Sequence, residues 1–139
     1  MLLKMELNCM QLDDPTSPIT WLIHSKSDLL LAKIGDKNEI LLNQLCFHAQ
    51  QSAEKSLKAV LIYFQINFEF THNIKKLIQS LPENIIKPDF FNNLTILTDY
   101  AVSTRYPGDY EEILNFEYEQ ATILAQQAYD WAFTIIHKS

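Results

Sequence analysis

Residues 42–64 read LNQLCFHAQQSAEKSLKAVLIYF. Apolar side chains recur in this stretch at steps of three and four residues, which places them on one face of an α-helix and would scatter them over both faces of a strand. The members of this apolar stripe are Leu42, Leu45, Cys46, Ala49, Ala53, Leu57, Val60, Leu61 and Phe64. The spacing therefore predicts one long amphipathic helix over about residues 39–65, with the stripe turned toward a protein core.

A first helix is predicted before this stretch. Ser17 followed by Pro18 suits a helix start, because serine can cap unpaired N–H groups and proline has no N–H to leave unpaired. This helix is expected to run to about residue 34, where Gly35 supplies the C-terminal turn. Residues 1–17 lack a period and end in a turn cluster, so we predict an N-terminal arm over 1–17 and a helical domain over 18–139.

Three more helices are predicted after residue 65. Thr71 is expected to cap a short helix over about residues 72–80. Apolar spacing then predicts a helix that opens at Pro88 and ends before the Pro107-Gly108 turn, and a last helix over about residues 111–137. The sequence therefore predicts an all-α fold, an antiparallel up-and-down bundle of four to five helices.

Composition agrees with one folded helical domain. The chain has 139 residues, of which 47% are apolar, and only two glycines, fewer than the turns of a sheet protein usually need. Its net charge of −6 gives no general attraction for nucleic acid, so any such contact must be local.

Without a signal sequence or an apolar run of membrane-spanning length, we expect a cytoplasmic protein that makes no membrane contact. The four histidines are scattered, so no metal site or other cofactor is predicted.

The side of the long helix opposite the apolar stripe carries a polar seam. Its members, again three or four residues apart, are Gln44, His48, Gln51, Lys55 and Lys58. One interpretation is a solvated face on which Glu54 and Lys58 form a surface ion pair. The other is a phosphate site, because an imidazole can exchange a proton near neutral pH and an ammonium can neutralise charge.

A second concentration of reactive side chains lies in the loop over residues 104–110, TRYPGDY. Arg105 could hold a phosphate through two hydrogen bonds, and Tyr106 could stack on a base. The alternative is that Arg105 pairs with Asp99 or Asp109 and only fastens the loop.

Several stretches resemble the HEPN domain family, whose members are often encoded beside minimal nucleotidyltransferases in prokaryotes. The run from Cys46 to Ala59, CFHAQQSAEKSLKA, is similar to the signature of the second HEPN helix. Three further stretches agree in order and spacing. They are Trp21 through Ser25 with Asp28, Leu29 and Ala32; Thr71 through Ile74; and Tyr100 through Gly108.

This resemblance implies a homodimer that places polar residues around a shared cleft, binds nucleotide or RNA, and works with a nucleotidyltransferase-type partner in a toxin–antitoxin pair. Many members are similar to metal-independent ribonucleases that use an arginine followed closely by a histidine. This sequence departs from that pattern, because Arg105 is followed by no histidine before His137.

Either His48 supplies the missing acid or base from the second helix, or the domain binds without cleaving, and the acidic balance favours binding. If the domain cleaves RNA, the catalytic residues are expected to be His48 and Arg105. The expected nucleotide or RNA contacts are Gln51, Lys55, Lys58, Tyr106 and Asp109. The alternative function is a non-catalytic dimeric interaction module that docks on a partner through exposed aromatic side chains such as Phe68, Phe70 and Tyr110.

Overall fold

The computed structural model describes residues 13–35, 39–101, 107–108 and 111–138, and all regular elements in this part of the chain are helical. This confirms the predicted all-α bundle. The elements are α1 (Pro18–Ala32), α2 (Leu42–Tyr63), α3 (Ile74–Gln79), α4 (Phe91–Leu94), a 3₁₀ helix (Thr95–Tyr100) and α5 (Asn115–Ile136). None of these helices is both long enough and apolar enough to cross a membrane.

Helix α2 is the central element of the bundle and packs most extensively against α1 and α5. Its stripe is buried as predicted except at the two ends, where Leu42 is half-buried and Phe64 is exposed. Contacts from α1 fix the directions, since Trp21 lies beside Lys58 whereas Asp28, further along α1, contacts His48. Helices α1 and α2 are therefore antiparallel.

Helices α1 and α5 are also antiparallel. The Tyr118 hydroxyl donates a hydrogen bond of 2.6 Å to the Ala32 carbonyl oxygen, while the Lys26 ammonium lies 5.0 Å from the centre of the Tyr129 ring. The three long helices therefore alternate in direction from α2 to α1 to α5, and α2 and α5 run parallel. The short elements α3, α4 and the 3₁₀ helix form the remaining part of the bundle.

Small hydroxyl side chains connect α1 to α2 through buried hydrogen bonds. The Ser25 hydroxyl lies 2.8 Å from the Ser52 carbonyl oxygen, 3.0 Å from the Ser52 hydroxyl and 2.7 Å from the Ser56 hydroxyl, and all three side chains are fully buried. Serine is short enough to let two helix backbones approach, and these hydrogen bonds satisfy groups that burial would otherwise penalise.

Helix α2 ends in a Schellman turn built on a residue other than glycine. Gln65 adopts a left-handed backbone with φ of +58°, and the Ile66 N–H donates to the Leu61 carbonyl oxygen at 2.9 Å. The Gln65 N–H donates to the Ile62 carbonyl oxygen, which completes the motif. This turn reverses the chain, so that residues 66–72 run back beside the last turns of α2.

The predicted helix between Pro88 and the Pro107-Gly108 turn is not one α-helix. It consists of the single turn α4 followed by the 3₁₀ helix. The buried side chains Phe91, Leu94 and Leu97 are spaced by three residues without a step of four, which is the period of a 3₁₀ helix and keeps them on one line. The prediction was wrong because it read this spacing as the α-helical period.

The cap of α3 also differs from the prediction. Asn73, and not Thr71, is the N-cap residue, because its side-chain oxygen accepts a hydrogen bond of 3.2 Å from the Lys76 N–H. The Thr71 hydroxyl instead accepts from the Asn73 N–H at 3.0 Å, one step earlier. The two side chains together fix the path by which residues 66–72 enter α3.

Candidate functional site

Asp28 on α1 holds two members of the polar seam on α2. One carboxylate oxygen lies 2.9 Å from His48 Nδ1, and the other accepts a hydrogen bond of 2.6 Å from Lys55 Nζ. His48 and Lys55 are two helical turns apart, a rise of about 10 Å, so each side chain must incline toward Asp28 to reach it. Asp28 is nearly buried, whereas 30% of the His48 side chain and 23% of the Lys55 side chain remain exposed.

This geometry fixes which nitrogen of His48 is available for chemistry. An ionised carboxylate can only accept hydrogen bonds, so Nδ1 carries a hydrogen and donates it to Asp28. The other ring nitrogen, Nε2, is then the one left to accept or exchange a proton with a ligand. A half-exposed imidazole oriented by a carboxylate, with an ammonium on the same carboxylate, is an arrangement that can bind a phosphate ester and act as a general base.

A second polar cluster lies further along α2, and three of its members, Gln50, Glu54 and Lys58, are buried. Glu54 accepts hydrogen bonds from Lys58 at 2.7 Å, from Gln50 at 3.0 Å and from His72 at 2.8 Å. The interpretation of Glu54 and Lys58 as a solvated surface pair is therefore wrong, because their side chains are only 4% and 5% exposed. Residues 66–72 and α1 cover this side of α2, which periodicity alone would have left to solvent.

Three aromatic rings lie near the Lys58 ammonium. Its nitrogen lies 5.6 Å from the ring centre of Trp21, 5.9 Å from that of Phe68 and 5.5 Å from that of Phe70. Rings at these distances attract a cation through their electron-rich faces. Lys58 thus connects α1 and the 66–72 segment to α2, while its charge is neutralised by Glu54 inside the protein.

The environment of Glu54 makes the stability of the fold depend on pH. Burial alone would raise the pKa of this carboxyl, but hydrogen bonds from Lys58, Gln50 and His72 outweigh burial and hold the pKa below its ordinary value of 4.5. The folded protein therefore binds this proton less readily than the unfolded chain does. Ionised Glu54 contributes stability that is fully present above about pH 4.5 and is lost as the pH falls through the lower pKa of the folded state.

We therefore expect the stability difference between the wild-type protein and Glu54→Gln to shrink as the pH is lowered from about 5 to about 3. The other carboxyl groups are shared by both proteins and cancel in this difference. Urea unfolding at a series of pH values measures it. A difference that stayed constant over this range would show that Glu54 does not carry the proton linkage.

The remaining predicted site residues fall into two groups. Gln51 is half-buried, and its side-chain nitrogen donates a hydrogen bond of 2.7 Å to the Gln50 side-chain oxygen, which places it between the two clusters. Arg105, Tyr106 and Asp109 lie outside the described residues. The structure thus brings together His48, Lys55 and Gln51 along one side of α2.

Sequence reasoning missed three residues of this region: Asp28, Glu54 as a buried anchor, and His72. Asp28 had a detectable signal, since it stands directly before three leucines and beside Ser25 on a helix whose face had to be buried. A charge in such a position needs a partner on the facing helix. Apart from the resemblance over Thr71 through Ile74, His72 had no signal, because its contact with Glu54 depends on the reversal of the chain at Gln65.

Cys46 belongs to the core, as predicted. Burial raises the pKa of its thiol to about 12, with a smaller contribution from the negative charge of Glu117. The thiol is therefore protonated at neutral pH and unsuited to act as a nucleophile. Among the described residues, no group of three histidine, cysteine, aspartate or glutamate side chains is placed to hold a metal ion.

Comparison with known proteins finds solved structures and a protein family that are similar to this chain. The chain resembles TT1696 from Thermus thermophilus, with 27% identity, a TM-score of 0.71, and coverage of 84% of this chain and 95% of that one. It also resembles the fold of an archaeal HEPN homologue, with 23% identity, a TM-score of 0.65, and coverage of 86% and 98%. No curated protein matches the chain. Residues 20–134 match the family of the HEPN domain. The chain belongs to the HEPN domain family.

Proposed function

We propose that this HEPN protein binds the phosphate of a nucleotide or of RNA in the groove between α1 and α2. The observation that carries the proposal is the pair of contacts from Asp28 to His48 and Lys55. Asp28 orients the His48 imidazole and the Lys55 ammonium and leaves both side chains partly exposed. The ligand phosphate would approach Lys55 Nζ and the Nε2 atom of His48, where a charge-assisted hydrogen bond contributes about 1.5 to 3 kcal/mol.

The other predicted contacts complete this site in the proposal. Gln51 would add a hydrogen-bonding amide beside His48, Arg105 would hold the phosphate bidentately, and Tyr106 and Asp109 would line the pocket. Lys58 is reassigned from the ligand to a supporting role, because its side chain is buried against Glu54 whereas that of Lys55 is partly exposed. In keeping with the family, we propose a homodimer that works with a nucleotidyltransferase-type partner in a toxin–antitoxin pair in the cytoplasm.

Metal-independent RNA cleavage is a second candidate, favoured by the hydrogen bond between Asp28 and His48. His48 Nε2 would accept the proton of the 2′-hydroxyl, whose oxygen attacks the adjacent phosphorus and displaces the 5′-oxygen, which takes a proton from water as it leaves. Arg105 would stabilise the charge on the phosphate. His48 would thus stand in for the histidine that usually follows the arginine in the family pattern.

The interaction module is supported by a different observation. Phe70 is 94% exposed, and a phenyl ring so fully in water is an anchor that a partner protein could cover. Phe68 is half-buried beside Lys58, and Tyr110 lies outside the described residues.

Lys55→Ala is expected to weaken binding of AMP and of a short RNA by about tenfold or more, as loss of a charged hydrogen bond implies. Lys75→Ala is the matched control, because it removes the same charge from an exposed position on α3. Isothermal titration calorimetry measures both. Equal losses in the two variants would indicate unspecific charge attraction, and no binding by the wild-type protein would favour the interaction module.

A further inference from the structure

A cavity of about 270 Å³ lies beside the proposed phosphate site. Its lining residues are Asp13, Pro15, Thr20, Trp21, His24 and Lys55. We propose that this cavity receives the nucleobase of the ligand whose phosphate lies against Lys55 and His48. The inference rests on the proposed function and adds a base-binding site to it.

The cavity adjoins the proposed phosphate site on the same side of α1. Trp21, His24 and Asp28 follow one another on α1 at steps of three and four residues and therefore share a side of that helix. Lys55 belongs to both places, since it lines the cavity and contacts Asp28. A ligand that spans the cavity and the groove would meet aromatic rings at one end and His48 at the other.

The outer wall of the cavity is held in place by hydrogen bonds. The Trp21 indole N–H donates to the Pro15 carbonyl oxygen at 2.9 Å. The two neighbours of Pro15 are also connected, because the Asp14 side chain accepts hydrogen bonds from the Thr16 N–H at 2.9 Å and from the Thr16 hydroxyl at 2.6 Å. The chain that leads into α1 is thus fastened against the indole, which preforms the cavity.

The chemistry of the lining fits a base and not a second phosphate. Trp21, Pro15 and the imidazole of His24 offer flat or apolar surfaces on which a base can stack. Asp13 adds an acceptor that suits the N–H donors of a base and repels a further anion. The volume lies just below the range of about 300 to 1,000 Å³ typical of drug-sized ligands, which suits one base and excludes a stacked oligomer.

Trp21 provides its own spectroscopic probe. The chain has two tryptophans, and the other, Trp131, packs against Phe91 in the core with ring centres 4.9 Å apart. In a Trp131→Phe background, AMP should quench Trp21 fluorescence with the same half-saturation that calorimetry gives. Ribose 5-phosphate, which has the phosphate and sugar but no base, should bind about tenfold or more weakly and leave the fluorescence unchanged.

Substitution separates the base site from the phosphate site. Trp21→Leu should weaken AMP binding by about tenfold while leaving ribose 5-phosphate binding unaltered. Phe116→Leu, an exposed aromatic on α5, is the matched control and should change neither. Because Trp21 also lies beside Lys58, His24→Ala serves as a second variant that tests the cavity without disturbing that contact.

The outcomes distinguish this inference from the proposed function. Equal affinity for AMP and ribose 5-phosphate, or AMP binding without a response from Trp21, would overturn the base site and leave the phosphate site standing. Absence of binding by both compounds would overturn the proposed function itself. A short RNA tested in parallel identifies the source of the base, since tighter Trp21-linked binding of RNA than of AMP assigns the cavity to an RNA nucleotide.

Discussion

Glu54→Ala is expected to lower the free energy of unfolding by about 3 to 5 kcal/mol. The substitution removes the partner of Lys58, whose side chain is only 5% exposed, so a buried charge would be left unpaired. It also takes away the acceptor of hydrogen bonds from Gln50 and His72. Urea unfolding at neutral pH, followed by far-ultraviolet circular dichroism, measures the effect.

Two comparisons make this prediction specific. Glu69→Ala breaks the ion pair with Lys76, whose atoms are 3.6 Å apart and whose side chains are largely exposed, so it should cost at most about 1 kcal/mol. Combining Glu54→Leu with Lys58→Met removes both buried charges and should recover most of the loss. If Glu54→Ala and Glu69→Ala cost the same, the buried cluster would not stabilise the fold beyond an ordinary surface pair.

The long helices could be predicted from the sequence because their burial is one-sided and apolar. Leu45, Ala49, Ala53 and Leu57 recur at the helical period and are all buried. Such spacing has only one regular solution, a helix with that stripe inward. The same argument gave α1 and α5 to within a few residues.

The polar side of α2 could not be predicted in this way. Ser52, Glu54, Ser56 and Lys58 are buried although none of them is apolar. Their burial follows from partners far along the chain, namely Ser25 on α1 and His72 beyond the turn at Gln65. A period in one helix reports the character of its own side chains and contains no information on which distant groups will satisfy them.

The candidate site shows the same division. His48 and Lys55 were selected because they lie two turns apart on one side of α2, and the structure brings both to Asp28. Asp28 itself was recognised only as part of the resemblance to the family. The half of the site predicted from the loop, Arg105 with its neighbours, lies outside the described residues.

Leu57→Ala is expected to cost about 2 to 5 kcal/mol of unfolding free energy. Leu57 is fully buried in the main core cluster, and it lies on α2 between Lys55 and Lys58. Removing its branched end leaves a cavity that the surrounding helices can only partly close. The loss of stability therefore exceeds the free energy of transferring the removed atoms from the core to water. Ile86→Ala is the matched control, since Ile86 is 89% exposed and its truncation should change stability by no more than about 0.5 kcal/mol.

The same variant separates stability from binding. Leu57 points into the core, so Leu57→Ala should leave AMP affinity unchanged at temperatures well below its melting transition, whereas Lys55→Ala should weaken binding. Thermal unfolding and calorimetry on both variants provide the comparison. If Leu57→Ala cost less than about 1 kcal/mol, α2 would not be the packed centre of the bundle. The orientation of His48 and Lys55 toward the groove would then lose its physical basis, because that orientation follows from which side of α2 faces inward.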